Sequence, residues 1–448
     1  MNDSDLFESM SPARAYFKLS LPLVLGMTVT LIYNLADTYF VAATGSTAIV
    51  AGVSLGEPVF TFLMALGNIG GQGGSSLISR LLGQKKTREA GRVSAFCFYA
   101  TLVAGVVVGA LMLLAGKPMV RLLGAEGETF EPAMEYYTWL SAGAPFILLS
   151  FIHSNLLRSE GMSKESMIGT ILGALVNIVL DPVFISGLGL GAAGAAMTSD
   201  LGYICTVVYD LVIVMRKSRV LSVKPGDVRI SAEDRKQILA VGTPAALVNI
   251  LQSASAVLLN QSLLPYGSEK IAAMGIALKV NMIAALVLTG FAYGGQPLFG
   301  YCYGAGDEKR FHQLITFCAR FIGALAAALA VMEIALATPL VRFFMDQGNI
   351  VRDGALMLQL QAATMPLMGV ILLVMIIFQS TGKALYSFLL SLSRQGVVYM
   401  AVLSVLGALA GYTGVIAAQA VSDIISMGIA LVLAGKSGLF RKAGKIQG

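Results

Sequence analysis

Two pairs of residues inside long apolar stretches have the chemistry to hold a small cation or a proton. Asn34 and Asp37 stand three apart, and Asn177 and Asp181 stand four apart. On helices those spacings put each pair on one face. Pro182 directly follows Asp181, and a proline there frees the carbonyl of Ile178 and kinks its helix. Carboxylate, amide and released carbonyl oxygens suit a hard cation or a proton relay, and Thr198 and Ser199 can add hydroxyl oxygens. Each acid costs about 2.5–3.5 kcal/mol at the centre of a membrane helix, so such groups face a cavity or a partner. The plainer alternative is that each carboxylate only hydrogen-bonds a neighbouring helix.

The elements that must position these residues are membrane spans. Apolar residues make up 56% of the 448, and charged residues 12%, against roughly 25% charged in a soluble domain. A span needs roughly 20 mostly apolar residues. Twelve are read, near 15–41, 52–79, 93–116, 133–157, 165–186, 191–215, 237–262, 271–301, 313–338, 355–381, 384–410 and 412–435. The predicted fold class is all-α integral membrane, in two parallel six-helix bundles. Glycine clusters in spans 2 and 8 (Gly67, Gly70, Gly71, Gly73, Gly74; Gly290, Gly294, Gly295, Gly300) predict bent or loosely wound helices. The N-terminus is acidic and polar and does not read as a cleavable signal.

An even number of spans puts both termini on one side. That side collects 23 lysines and arginines, including Arg441, Lys442 and Lys445, against 5 on the other (Lys117, Arg121, Lys270, Arg342, Arg352). The positive-inside rule makes the basic side cytoplasmic. The net charge of +6 therefore reflects short basic connections and gives no reason to invoke nucleic acid. The longest connection, 216–236, separates an N-terminal half (1–215) from a C-terminal half (237–448). Local patterns repeat between the halves. Pro22 and Pro244 open the first span of each, and GAAGAAMTSD (191–200) matches GVIAAQAVSD (414–423). Parallel repeats of this kind put a substrate site near the midplane between the halves. Aligning the opening prolines sets Leu259 opposite Asp37, so the acid pair belongs to the first half alone. Asp200 and Asp423 match across the repeat and are read as braces for packing or a helix end.

Gln72, Asn281, Gln296 and Arg394 are polar residues within spans and are candidates for lining the substrate cavity. Arg394 and Lys279 either line its cytoplasmic part or snorkel to its mouth. Glu333 lies close enough to the outer surface to need no special role, and Glu57, near the outer end of span 2, either joins the acid pocket or, as the simpler reading, faces solvent. His153 and His312, near cytoplasmic span ends, read as solvent-facing. No ligand spacing surrounds either histidine, the four cysteines form no metal or disulfide framework, and no Ser–His–Asp set or phosphate-binding loop is present. An enzyme is thereby disfavoured and no cofactor is called for, and the one ion the sequence gives a place to is H⁺ or Na⁺ at the oxygens of Asp37, Asn34, Asn177, Asp181, Thr198 and Ser199.

The run NIVLDPVFISGLGLGAAGAAMTSD (177–200) closely resembles the span 5–6 signature of the MATE (multidrug and toxic compound extrusion) family. SRLLGQKKTREA after span 2, GGQPLFGYCYGAGDEKR at the end of span 8 and SLSRQ (391–395) are also similar to it. The resemblance covers essentially the whole chain and points to the DinF-like or MepA-like branch. It implies a V-shaped bundle, a monomer in the lipid bilayer, and H⁺- or Na⁺-coupled antiport of amphipathic or cationic small molecules. It also implies a cation site at Asp37, Asn177 and Asp181, with a span 6 hydroxyl at Ser199 or the adjacent Thr198. The rival reading is a flippase for lipid-linked precursors, which requires a cationic cavity that only Arg394 and Lys279 can supply.

Overall fold

In lipid the backbone has no water to bond, so each crossing must satisfy its own N–H and C=O groups as helix. The computed structural model describes residues 5–439, and these form helices with no strand among them. Arg441, Lys442 and Lys445 lie outside the described residues. The helices are α1 (Pro12–Ala42), α2 (Thr47–Gly83), α3 (Thr87–Leu114), α4 (Gly116–Leu122), α5 (Phe130–Ala142), α6 (Ala144–Ser159), α7 (Ser163–Asp181), α8 (Gly191–Arg216), α9 (Ala232–Leu263), α10 (Ser268–Gly294), α11 (Gln296–Ala305), α12 (Glu308–Ala335), α13 (Ala337–Phe344), α14 (Gly348–Ala363), α15 (Met365–Ser380), α16 (Ala384–Gln395) and α17 (Val397–Ser437).

Eight helical runs are long and apolar enough to cross a bilayer. Two more crossings are bent pairs, α5 with α6 at 53° and α14 with α15 at 45°. Pro145 and Pro366 open the second limb of each pair, where a missing N–H leaves the preceding turn unbonded. α9 is 32 residues long, about 48 Å at 1.5 Å per residue. Gln252, Asn260 and Gln261 make it too polar for a plain hydropathy criterion, yet it has the length to cross. The run Ala384–Ser437 holds 54 residues, near 80 Å as one helix, against a hydrocarbon core of roughly 30 Å. It reverses at Gly411, whose φ of +57° favours glycine. Past that point Gly414 lies so close to Leu406 that a Cβ would sit 1.9 Å from its carbonyl oxygen. Counting the bent pairs, α9 and the second limb of α17 with the eight gives twelve crossings.

The glycines of span 2 do not unwind it. α2 runs unbroken from Thr47 to Gly83. Its glycines let backbones meet, which is how helices associate where lipid removes the hydrophobic drive. A Cβ at Gly67 would lie 3.0 Å from the Leu148 carbonyl oxygen, and one at Gly73 only 2.2 Å from that of Ile238. Span 8 does break, at Gly295, with Pro297 opening α11.

The chain divides into two compact units, one holding Leu25–Ala246 with the first few residues, the other Phe7–Val24 with Leu247 onward. α1 and α9 each change unit three residues after an internal proline, Pro22 and Pro244. Within the first unit, the 216–236 stretch is anchored on the end of α6. Glu160 accepts from Ser218 Oγ at 2.5 Å and from the N–H groups of Arg219 (2.9 Å) and Val220 (3.2 Å). Leu221 is buried in an apolar cluster with Ile213 and Ile238. Within the second unit, Tyr16 donates to the Phe291 carbonyl at 2.8 Å, and the Phe17, Phe317 and Phe321 rings pack around it.

Candidate cation site in the first unit

Three elements of the first unit bring the predicted oxygens together. α7 ends at Asp181, and Pro182 begins a π-helical segment, Pro182–Gly187. π-helical turns recur where a helix is adapted to a site. Asn177 and Asp181, one turn apart, are both buried. α8 lies alongside, because Gly173 and Gly202 allow contact too close for side chains: a Cβ on Gly202 would lie 2.8 Å from the Gly173 carbonyl oxygen. That approach puts Thr198 Oγ1 2.6 Å from Asp181 Oδ1, donating to it. The Asn177 amide satisfies both its ends when it donates to Asp181 Oδ2 at 3.2 Å and accepts from the Ser199 N–H at 3.2 Å.

α1 supplies the second carboxylate. Asp37 interacts electrostatically with Asp181, and its Oδ1 is buried without a hydrogen-bond partner among the described residues. Asp37 as a whole is partly buried, and two carboxylates within electrostatic reach repel unless a proton or cation removes charge from one of them. Asn34, one turn earlier, is exposed, its side chain makes no hydrogen bond among the described residues, and its backbone carbonyl accepts from Thr38 Oγ1 at 2.8 Å. Glu57 is exposed.

Several polar residues of this region escaped the sequence reading. Tyr33, one turn before Asp37, reaches Tyr203 on α8, with 3.2 Å between hydroxyl oxygens. Tyr136 on α5 is buried and interacts electrostatically with Asp37, Asp200 and Glu57. A Cβ on Gly56 would lie 2.3 Å from that ring, so this glycine makes its room. Asp210 is fully buried on α8 and accepts from Ser154 Oγ at 3.1 Å. The tyrosines were findable as polar residues one helical turn from a span acid, and Asp210 as an acid within span 6.

The remaining candidates fall as follows. Gln72, on α2, has a buried Oε1 without a partner, and Gln296, at the start of α11, a buried Nε2 without one, among the described residues. Asn281 donates to Gln361 Oε1 at 3.3 Å. Arg394 is engaged in an ion pair: its Nε donates to Asp423 Oδ1 at 3.1 Å. The expectation of a solvated His153 fails, and Glu333, expected close to the outer surface, is buried. His153 is 1% exposed, its Nδ1 lies 3.3 Å from the Leu149 carbonyl, and its ring packs edge-on against Phe98. Glu333 is 3% exposed on α12. Both stand near span ends, but on faces turned to neighbouring helices.

The comparisons agree with this architecture. The MatE family model matches residues 22–183 and again 244–405, one copy per half. The multidrug export protein MepA of Staphylococcus saprophyticus is 31% identical over 427 residues, covering 95% of this chain and 94% of that protein. MepA of Staphylococcus aureus is 30% identical, covering 93% and 92%. An outward-facing multidrug resistance MATE transporter of the MOP superfamily superimposes with a TM-score of 0.92 at 26% identity, over 99% of both chains. A MOP superfamily transporter from Pyrococcus furiosus does so at 0.91, also at 26% and over 99% of both. Twelve crossings, a duplicated half and full-length similarity to these transporters establish that this chain is a multi-pass membrane protein belonging to the MatE family of transporters.

Proposed function

We propose that the protein is a secondary active antiporter that exports amphipathic or cationic drugs against an inward flow of H⁺ or Na⁺. Both termini are cytoplasmic in this reading, and a single chain is the working unit. The observation that carries it is the placement of Asp37 within electrostatic reach of the buried Asp181, which Thr198 and Asn177 hold, while an oxygen of Asp37 has no hydrogen-bond partner among the described residues. Packing alone gives no reason to set two acids within electrostatic reach of each other inside membrane spans. A proton or Na⁺ entering the pocket removes their repulsion and lets α1 close on α7 and α8. Its loss opens them again. The cation drives transport only through its different affinity for those two arrangements. Export of multiple drugs is what the curated relatives are named for, and no feature of this chain calls for a narrower substrate. The Asp423 pairing of Arg394 weakens the flippase alternative, which needs free cationic charge to meet a pyrophosphate.

The deciding experiment is ethidium transport in proteoliposomes, with pH and Na⁺ gradients imposed separately. Transport is expected to follow at least one gradient and to disappear in Asp181→Asn. Full gradient-driven transport by that variant rules the proposal out.

A further inference from the structure

Repeat-related positions in the two units have opposite surroundings, and the contrast points to a further residue in the cation cycle. Asp423, on the second limb of α17, is 2% exposed and fully engaged. Arg394 Nε donates to its Oδ1 at 3.1 Å, Gln419 Nε2 to the same oxygen at 3.0 Å, and Thr364 Oγ1 to Oδ2 at 2.9 Å. Thr364 stands at the bend between α14 and α15. Asp200 on α8 occupies the matching place in the first unit. It packs on Gly143, the residue at the bend between α5 and α6, so tightly that a Cβ there would meet its carboxyl at 1.9 Å. Glycine has no hydroxyl to replace that of Thr364. The sequence offset places Ile171 where Arg394 stands. Asp200 is 7% exposed, its Oδ1 has no hydrogen-bond partner, and no cation lies within ion-pair distance of it among the described residues.

A carboxylate buried without a cation is strongly disfavoured, and a bound proton is the simplest way to remove its charge. The titratable groups facing Asp200 are the phenols of Tyr136 on α5 and Tyr203 on α8. Tyr136 also faces Asp37, and Tyr203 bonds Tyr33, one turn from Asp37. Asp200 therefore adjoins the cation pocket through tyrosines, with no basic residue between.

We infer that Asp200 is a third proton-exchanging carboxyl group of the first unit, working with Asp37 and Asp181, while its counterpart Asp423 is a structural brace tied to Arg394, Gln419 and Thr364. In each cycle Asp200 takes a proton from water, forming an O–H bond and losing its charge, and later returns that proton to water on the other side. This extends the antiport reading and rests on its proton-driven form.

The test uses full-length protein purified in detergent. Infrared spectra at mildly acidic pH are expected to contain a carboxyl C=O band that Asp200→Asn removes and Asp423→Asn leaves in place. Identical spectra from wild type and Asp200→Asn overturn the inference without touching the antiport reading. Protons released on ethidium binding are then counted in weak buffer. Wild type is expected to release about one more proton per protein than Asp200→Asn, and equal counts overturn the inference alone. No release by wild type removes the proton-driven form of both. Should Asp200→Asn fail to fold, Asp200→Glu keeps the carboxyl but displaces it. That variant is expected to shift the pH midpoint of proton release, and an unmoved midpoint counts against the inference.

Discussion

Thr198, Asn177 and Arg394 show how burial changes the meaning of a single polar side chain. Asp181 is completely buried, so the short bond from Thr198 is made where water cannot replace it. Hydrogen bonds to charged groups contribute about 1.5–3 kcal/mol, which corresponds to roughly ten- to hundred-fold in binding. The hydroxyl of Thr198 stabilises the charged carboxylate, so Thr198→Val is expected to tighten proton binding at Asp181 by that factor, and Thr198→Ser to restore most of the wild-type value. The concentration dependence of gradient-driven ethidium efflux measures both. Asp37→Asn is expected to reduce efflux to the rate of empty vesicles while the melting temperature stays close to wild type. Arg394 tests the opposite role. Removing one partner of a buried ion pair costs about 3–5 kcal/mol, because the other charge stays behind. Arg394→Ala should therefore lower thermal stability sharply, and combining Arg394→Met with Asp423→Leu should recover most of the loss. A thermal-shift series on purified protein checks this.

The elements are set by a few special residues within otherwise uniform apolar helices. Pro145, Pro182, Pro297 and Pro366 each stand within two residues of a helix boundary, and the glycines decide which helices meet backbone to backbone. Gly411 and Gly414 make the sharpest case, since the reversal of α17 depends on both. Gly414→Ala forces a methyl group to within 1.9 Å of the Leu406 carbonyl oxygen, so the two limbs must part. The expected result is a large loss of detergent-stable protein, seen as aggregation by fluorescence-detected size exclusion. Gly428→Ala, farther along the same helix with open space around it, should behave as wild type. Composition marked glycine-rich spans but not what the glycines do. In α2 they permit contact and the helix runs on past them, as it does past its internal Pro58, whereas span 8 breaks at Gly295, two residues before Pro297.

At the scale of the molecule, lysine and arginine placement predicts cytoplasmic termini. A C-terminal green fluorescent protein fusion should fluoresce in cells, and an alkaline phosphatase fusion at the same point should be inactive. The reverse pair of results would overturn the orientation. The sequence by itself determined the membrane-spanning class, the twelve crossings, the duplication and the restriction of the Asp37–Asp181 pair to one half. All of these follow from residue type and spacing along the chain, which need no knowledge of neighbours. Only the tertiary structure decided what each polar group faces. It made Thr198 the hydroxyl on Asp181, with Ser199 offering its backbone N–H to Asn177. It buried His153 and Glu333, tied Arg394 to Asp423 and left Asp200 against a glycine. The reason is geometric: a helix displays side chains all round, and only packing against its neighbours settles whether a given side meets lipid, water or another charge.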